Sequence, residues 1–258
     1  MAKRFPFLKE EKSATFDDIF SYCSEQKGNI KLFESGLRFT PDAAEKSGVQ
    51  QQEMIAGVMS GNVAGEHWTI PSLALDFFDV KAVTEELIGL SLDAQDIEFR
   101  AEKHTAFHPG QCAGVYKNDK CIGFVGAIHP KLEKGLGLSG KTFAFELELV
   151  SISTRTLPWI KAISKFPVNR RDIAVTVEDS VDTGNILKCI EKLGVTDLID
   201  LNLFDVYKGK GIEPGFKSLA LSIWLQSSER TLEDADIQKS VDTVVQALEV
   251  NFSASLRD

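Results

Sequence analysis

Hydrophobic positions in the C-terminal third of the chain alternate between period two and a helical period. DIAVTVED (172–179) alternates, with Ile173, Val175 and Val177 on one face, as a half-buried strand does. Asp182 then opens a helix whose stripe is Ile186, Ile190 and Leu193, and Gly194 stands where a C-terminal cap belongs. LIDLNLFDVY (198–207) and KSLALSIWLQ (217–226) read as two strands around a glycine-rich turn. Thr231 and Asp234 form a capping-box-like pair. Ile237, Val241, Val244, Val245, Leu248 and Phe252 line one side of a long helix, and SASLR (253–257) supplies a last edge strand. The order β-α-β-β-α-β is that of a ferredoxin-like unit.

Upstream, the same reasoning predicts a mixed α/β domain. Phe16, Ile19, Phe20 and Cys23 have helical spacing, so residues 1–30 hold a short amphipathic helix. KLFESGLRF (31–39) and EMIAGVMSG (53–61) read as strands. Asp79 caps a helix that buries Val80, Val83, Leu87 and Leu90. DIEFRAE (96–102), QCAGVYK (111–117) and CIGFVGAI (121–128) follow, with a tight turn at Asn118-Asp119. Pro130 starts a short helix with Leu132 and Leu136 inward, and TFAFELELV (142–150) is a strand. SISTRTLPWIKAISKFP (151–167) is polar and broken by two prolines. The expected organisation is therefore an N-terminal segment 1–30, a domain 31–150, a linker 151–164 and a second domain 165–258, α+β in class.

Composition narrows the chemistry. The 258 residues carry a net charge of −9, which argues against a strong non-specific nucleic-acid binder. From Thr156 onward, 12 basic and 16 acidic residues leave that part acidic as well, so any phosphate contact there must be local. No apolar run approaches the roughly 20 residues of a membrane span. The start lacks the apolar core of a signal peptide, so we expect a cytoplasmic protein with no membrane partner. The four cysteines, Cys23, Cys112, Cys121 and Cys189, are scattered and read as free thiols.

Two motifs invite a catalytic reading and fail it. Gly135 to Thr142, GLGLSGKT, fits a phosphate-binding loop letter by letter. Such a loop needs a strand before it and a helix after it, and here the predicted order is reversed. His104, His108, Cys112, Cys121 and His129 are metal-ligand types, but Pro109-Gly110 interrupts any helix that would align the first three. His108-Pro109-Gly110 reads as a turn. No nucleophile elbow occurs either, so we expect no catalytic residue and no metal site in this chain.

Several segments resemble the β subunit of bacterial phenylalanyl-tRNA synthetase. They include LFESGLRF (32–39), FHPGQCAGVY (107–116), IGFVGAIHPKLEKGLGLSGKTFAFELEL (122–149), ISKFPVNRRDIAV (163–175), NLFDVYKGKGI (202–212), KSLALSIWLQ (217–226) and RTLEDADI (230–237). The likeness runs in one order from about Lys31 to Asp258. It implies an incomplete, non-catalytic class II synthetase-like domain followed by a ferredoxin-fold anticodon-binding domain. It further implies tRNA(Phe) and the α subunit as partners, within an α2β2 enzyme that joins phenylalanine to tRNA. ATP and Mg2+ belong to that intact enzyme, its active site lies on the α subunit, and this chain is expected to bind no cofactor. No G-x-G-x-x-R segment is present, and the family's N-terminal regions are missing, as in a cloned fragment or a natural truncated paralogue. A paralogue acting as a protein-interaction module without tRNA binding is the alternative.

The expected tRNA contacts are Lys165, Asn169, Arg170 and Arg171 at the start of the last domain, and Tyr207, Lys208, Lys210 and Lys217 around its hairpin. Arginine suits bidentate phosphate contact and lysine acts as a point charge. If Leu219, Leu221, Ile223 and Leu225 face the helices, Trp224 points outward and can stack on a base. In a ferredoxin-like sheet the first strand begins at one end and the second hairpin turns at the other. The two basic clusters therefore need not form one patch.

Overall fold

The computed structural model describes residues 29–90, 97–138, 140–153 and 163–257. The expected helix at Phe16–Cys23, Lys161 and most of the expected linker lie outside them. The chain divides into two compact units, Met1–Trp159 and Ile160–Asp258.

The first unit is built on β1 (Ile30–Pro41), β2 (Val49–Ser60), β3 (Ile97–Ala101), β4 (Phe107–Lys117), β5 (Lys120–Ile128) and β6 (Thr142–Glu148). They form one antiparallel sheet in the order β1-β2-β6-β5-β4-β3. Among the described residues three helices accompany it: α1 (Phe77–Gly89), α2 (Pro130–Gly135) and α3 (Leu149–Ile152). Alternation divides the sheet. Val115, Val125, Phe143 and Leu147 pack with Val80 and Ile88 of α1 in one cluster. Phe107, Cys112, Ile128 and Ala144 form another. Asn118 and Asp119 both have positive φ, +48° and +62°, as a two-residue hairpin turn requires.

Local chemistry moves three expected boundaries. Asp76, not Asp79, caps α1: its carboxylate accepts from the amides of Phe78 and Asp79, and Asp79 returns a bond to the Asp76 amide at 2.7 Å. The expected helical stripe shifts accordingly, and Leu90 at the C-cap is exposed. His108-Pro109-Gly110 is no turn. It lies inside β4 as an irregularity between the Phe107 and Cys112 pairings, which bends the strand without ending it. In α2, Leu132 packs on the core but Leu136 is exposed, because Gly137 turns the chain at φ +68°.

The GLGLSGKT segment joins α2 to β6, so a helix precedes it and a strand follows. The Thr142 amide donates to the Glu133 carboxylate at 2.9 Å, which places an acid where a phosphate would need a donor. The imidazoles are likewise engaged locally. Nδ1 of His104, His108 and His129 accepts from the amides of Ala106, Gly110 and Lys131 respectively. Across the sheet, Arg38 of β1 bonds Gln52 at 2.5 Å and reaches Glu146 of β6 at 3.5 Å. Burial pushes the Glu146 carboxyl above its ordinary range, and the Arg38 charge opposes that shift.

The second unit comprises β7 (Asn169–Glu178), α4 (Thr183–Lys192), β8 (Leu198–Tyr207), β9 (Phe216–Leu225), α5 (Asp234–Phe252) and β10 (Ser255–Leu256). Its antiparallel sheet has the order β10-β7-β9-β8, the expected ferredoxin-like arrangement. Ile173, Val175 and Val177 face Ile186 and Ile190 of α4 and Ile237, Val244 and Leu248 of α5. Gly194, at φ +57°, ends α4 as read from sequence, although Leu193 beside it is exposed. The start of α5 differs from the reading: the N-cap is Glu233, and Asp236 rather than Asp234 closes the turn by accepting the Glu233 amide at 3.0 Å. Arg230 forks onto both Asp236 oxygens at 2.7 and 2.8 Å and holds that carboxyl down to about 2. Ser253, left-handed at φ +51°, reverses the chain into β10.

Lys217 is an interior brace. It sits on the helix-facing side of β9, buried, with its ammonium donating to the carbonyls of Asp179 at 3.2 Å and Val181 at 2.5 Å. The ammonium is thereby turned inward, away from solvent phosphate. Two stability outcomes are expected in urea titrations. Lys217→Met leaves those carbonyls without their donor and lowers stability by about 1–3 kcal/mol, whereas Lys210→Ala on the exposed turn stays within about 0.5 kcal/mol of the parent. Gly126→Ala costs about 1–3 kcal/mol, because a Cβ there would meet the Gln111 carbonyl oxygen at 2.4 Å, backbone that cannot swing away.

Candidate nucleic-acid interface

With Leu219, Leu221, Ile223 and Leu225 fully buried against the helices, the alternate residues of β9 face the other way. These are Phe216, Ser218, Ala220, Ser222 and Trp224. Register extends the same face to Arg170, Asp172, Ala174 and Thr176 of β7, and to Asp200, Asn202, Asp205 and Tyr207 of β8. Among the described residues both helices of this unit pack on the other side, so this is the open sheet face; Ser218 and Ser222 lie buried beneath its longer side chains and Trp224 is half-buried.

Small residues keep the floor of this face low, and two arginines lie across it. Arg170 is opposite Trp224, and its guanidinium stands 5.4 Å from the centroids of both the Trp224 and Phe204 rings. Phe204 reaches this face at the irregularity in β8 between Leu203 and Asp205. Asp172 accepts from Arg170 Nε at 2.7 Å and fixes the guanidinium plane. At the other end, the Arg257 amide bonds the Ala174 carbonyl, and its guanidinium lies 5.4 Å from the Tyr207 ring. The Tyr207 hydroxyl donates to the Lys210 carbonyl at 3.2 Å, tying the ring to the hairpin. Each station thus offers a flat cation on an aromatic surface, worth about 0.5–2 kcal/mol as a cation–π contact.

The expected contacts divide by position. Arg170, Trp224 and Tyr207 are on the open face. Asn169 begins β7 and donates from its side chain to the Pro167 carbonyl at 3.5 Å. Lys165 is exposed just before it, with its ammonium 5.5 Å from the Phe166 ring. Arg171 points to the opposite face, where it reaches Asp234 at 3.2 Å. Lys208 pairs with Asp179 at 2.8 Å. Both pairs are solvent-exposed and contribute no more than about 1 kcal/mol, so both cations can exchange partners. Lys210 is exposed on the turn, and Lys217 is internal. The clusters stay apart. Arg170 is seven strand residues from the level of Lys217, roughly 23 Å. Asp172, Glu178, Asp200 and Asp205 share the open face, so flat stacking surfaces rather than a cationic field characterise it.

Phe204 and Arg257 were missed from sequence. Strict alternation from Leu201 and Leu203 sends Phe204 outward, and a β10 paired beside β7 sets Arg257 level with Ala174. Both signals were legible once strand faces were assigned. Among the described residues, no group of three or more His, Cys, Asp or Glu side chains is arranged to hold a metal ion.

Residues 18–149 match the family model "Phenylalanyl tRNA synthetase beta chain CLM domain", and residues 164–257 match "Ferredoxin-fold anticodon binding domain". The chain is 52% identical over 235 residues to the phenylalanine–tRNA ligase beta subunit of Shewanella oneidensis, covering 91% of this chain and 30% of that protein. Its counterpart in Colwellia psychrerythraea is 50% identical, with 91% and 29% covered. The chain therefore spans about 30% of the length of the curated relatives it matches. A crystal structure of pyrrolysyl-tRNA synthetase from Desulfitobacterium hafniense overlaps 48% of this chain and 40% of that one, at a TM-score of 0.33 and 14% identity, too distant to bear on the fold. With the first model spanning just over half of the 258 residues and the second taking up the sheet with the two arginine–aromatic stations, the chain belongs to the phenylalanyl-tRNA synthetase beta-chain family.

Proposed function

We propose that this chain is a tRNA-binding and assembly portion of a phenylalanine–tRNA ligase, without catalytic residues of its own. The second unit holds the anticodon arm of tRNA(Phe) on its open sheet face. The first unit is a non-catalytic class II synthetase-like domain that works beside an α subunit. That subunit carries the ATP- and Mg2+-dependent attachment of phenylalanine, and the assembly acts in the cytoplasm. The observation that carries this reading is the Arg170 guanidinium, 5.4 Å from the centroids of both the Phe204 and Trp224 rings, on a sheet matching the ferredoxin-fold anticodon-binding family model. The antiparallel six-stranded sheet supports the class II-like reading of the first unit, and no described helix is long and apolar enough to cross a membrane.

In this mechanism an unpaired base stacks on the Trp224 or Phe204 ring while the Arg170 guanidinium covers it or takes a neighbouring phosphate. Tyr207 with Arg257 repeats the arrangement nearer the hairpin. Lys165, Lys208 and Lys210 then meet the backbone from either end, and Asn169 adds a polar contact beside Arg170. Neutralising each phosphate releases counterions, so affinity falls as salt rises. A second reading, an interaction module that no longer holds tRNA, is favoured by the engagement of Arg171 and Lys208 with acids and by the burial of Lys217.

Fluorescence anisotropy with a labelled anticodon stem-loop of tRNA(Phe) separates the two. Trp224→Ala and Arg170→Ala are each expected to weaken binding by roughly 5- to 150-fold, the equivalent of about 1–3 kcal/mol. Lys210→Ala lowers the slope of log affinity against log salt by about 1. Parent-like affinity in all three variants removes the assigned surface. Absence of salt-dependent binding by the parent, together with co-purification of an α subunit, establishes the second reading instead.

A further inference from the structure

The hairpin that presents Tyr207, Lys208 and Lys210 is shaped from within but aimed from without. Residues 208–215 join β8 to β9, and Gly211 and Gly215 stand at φ +94° and +90°, a region that glycine enters freely. The Ile212 amide bonds the Gly209 carbonyl at 3.0 Å, and the Tyr207 hydroxyl bonds the Lys210 carbonyl at 3.2 Å. Both bonds are internal to the turn. They shape its tip without setting the angle at which the tip leaves the sheet.

Asp179, just past the end of β7, meets the base of that hairpin with three different groups. Its amide donates to the Gly215 carbonyl at 2.8 Å, one step beyond the pairing of Glu178 with Phe216. Its carboxylate pairs with Lys208 at 2.8 Å. Its carbonyl accepts from the buried Lys217 ammonium at 3.2 Å, and the same ammonium takes the Val181 carbonyl at 2.5 Å. One end of the hairpin is thus tied at Lys208 and the other at Gly215. The residue that ties both is itself held from inside the core.

Burying an ammonium is unfavourable in itself. Lys217 has the parity of Leu219 and Leu221, and an apolar side chain would serve packing there at least as well. An apolar side chain could not fix the carbonyls of the loop between β7 and α4. We propose that Lys217 and Asp179 are positioning residues for RNA: the buried ammonium fixes Asp179, and Asp179 fixes both ends of the hairpin, so that Tyr207, Lys208 and Lys210 are presented in one pose. The role presupposes that the open face holds tRNA. Lys208 can hold Asp179 and a phosphate together, because its side chain is 56% exposed and an ammonium has three donors. A hairpin ordered in advance has less freedom to lose when it binds.

Hydrogen exchange of the full chain, read residue by residue by NMR, tests the tie without RNA. Lys217→Met is expected to speed exchange of the Asp179 and Ile212 amides by roughly 5- to 150-fold. A lysine that served stability alone would speed only amides that exchange by global unfolding, such as those of Leu221 and Ile223 in the centre of β9. Asp179→Ala, at an exposed position, keeps the interior intact and is expected to speed the Ile212 amide with an unchanged urea midpoint; it carries the test if Lys217→Met does not fold. In the stem-loop anisotropy assay Lys217→Met is expected to weaken binding roughly 3- to 30-fold, both alone and beside Trp224→Ala. Where Tyr207→Ala and Lys210→Ala have already removed the hairpin's contacts, the further loss stays below about twofold. Equal losses in all backgrounds, or hairpin amides that exchange as in the parent, overturn the proposal. A parent that does not bind the stem-loop removes the tRNA reading instead, and the exchange data then uphold or sink the hairpin tie by themselves.

Discussion

Burial of Leu219, Leu221, Ile223 and Leu225 beneath α4 and α5 fixes everything the second unit can offer a ligand. Each such side chain removed from water contributes about 1.5–3 kcal/mol, so β9 cannot slip by one residue without exposing all four. Because side chains alternate, the same constraint drives Trp224 and its neighbours outward. Register then carries it to β7 and β8, and places Arg170 opposite Trp224. The stacking station is thus a by-product of core burial.

The larger elements were legible because they answer to period alone. DIAVTVED, the α4 stripe and the long α5 stripe each bury the residues their spacing selects, and the strand order follows from the β-α-β-β-α-β sequence. Local features answer to geometry that spacing does not carry. Asp76 and Asp79 are both acids suited to a cap, and only the carboxylate that reaches the Phe78 and Asp79 amides reveals which one is. Likewise, His108-Pro109-Gly110 has turn chemistry, yet pairing on both sides of it holds the segment in β4 as a bulge. Its place near the hairpin suggests a surface cation at Lys217. Its parity with Leu219 puts it on the buried face, where a long stem and two carbonyls let an ammonium end inside.

Electrostatics explains why the acidic balance of the second unit does not settle its role. A phosphate-tracking groove needs many cations on one surface, and here the basic residues fall at two ends of the sheet, with Arg171 on its other face. A stacking surface needs few charges. Arg170 beside Asp172 is close to neutral as a pair, yet it still presents a planar guanidinium next to two rings. Recognition on such a surface depends on shape and on unpaired bases more than on net charge.

The two sheets also differ in how their edges are managed. In the second unit, β10 covers one side of β7, so the chain itself supplies the last strand. The opposite edge, β8, exposes Ile199, Phe204 and Val206, but its register shifts twice and it carries Asp200 and Asp205. Irregular spacing and acids prevent a second β8 from pairing with it, since like charges would oppose one another across the seam. β1 in the first unit is managed differently: it carries Lys31, Glu34 and Arg38, and Arg38 bonds Gln52 and reaches the buried Glu146. Its ladder with β2 is regular over its whole length. Irregular register and acids thus mark β8, whereas an arginine drawn along the sheet face onto a buried carboxylate marks β1.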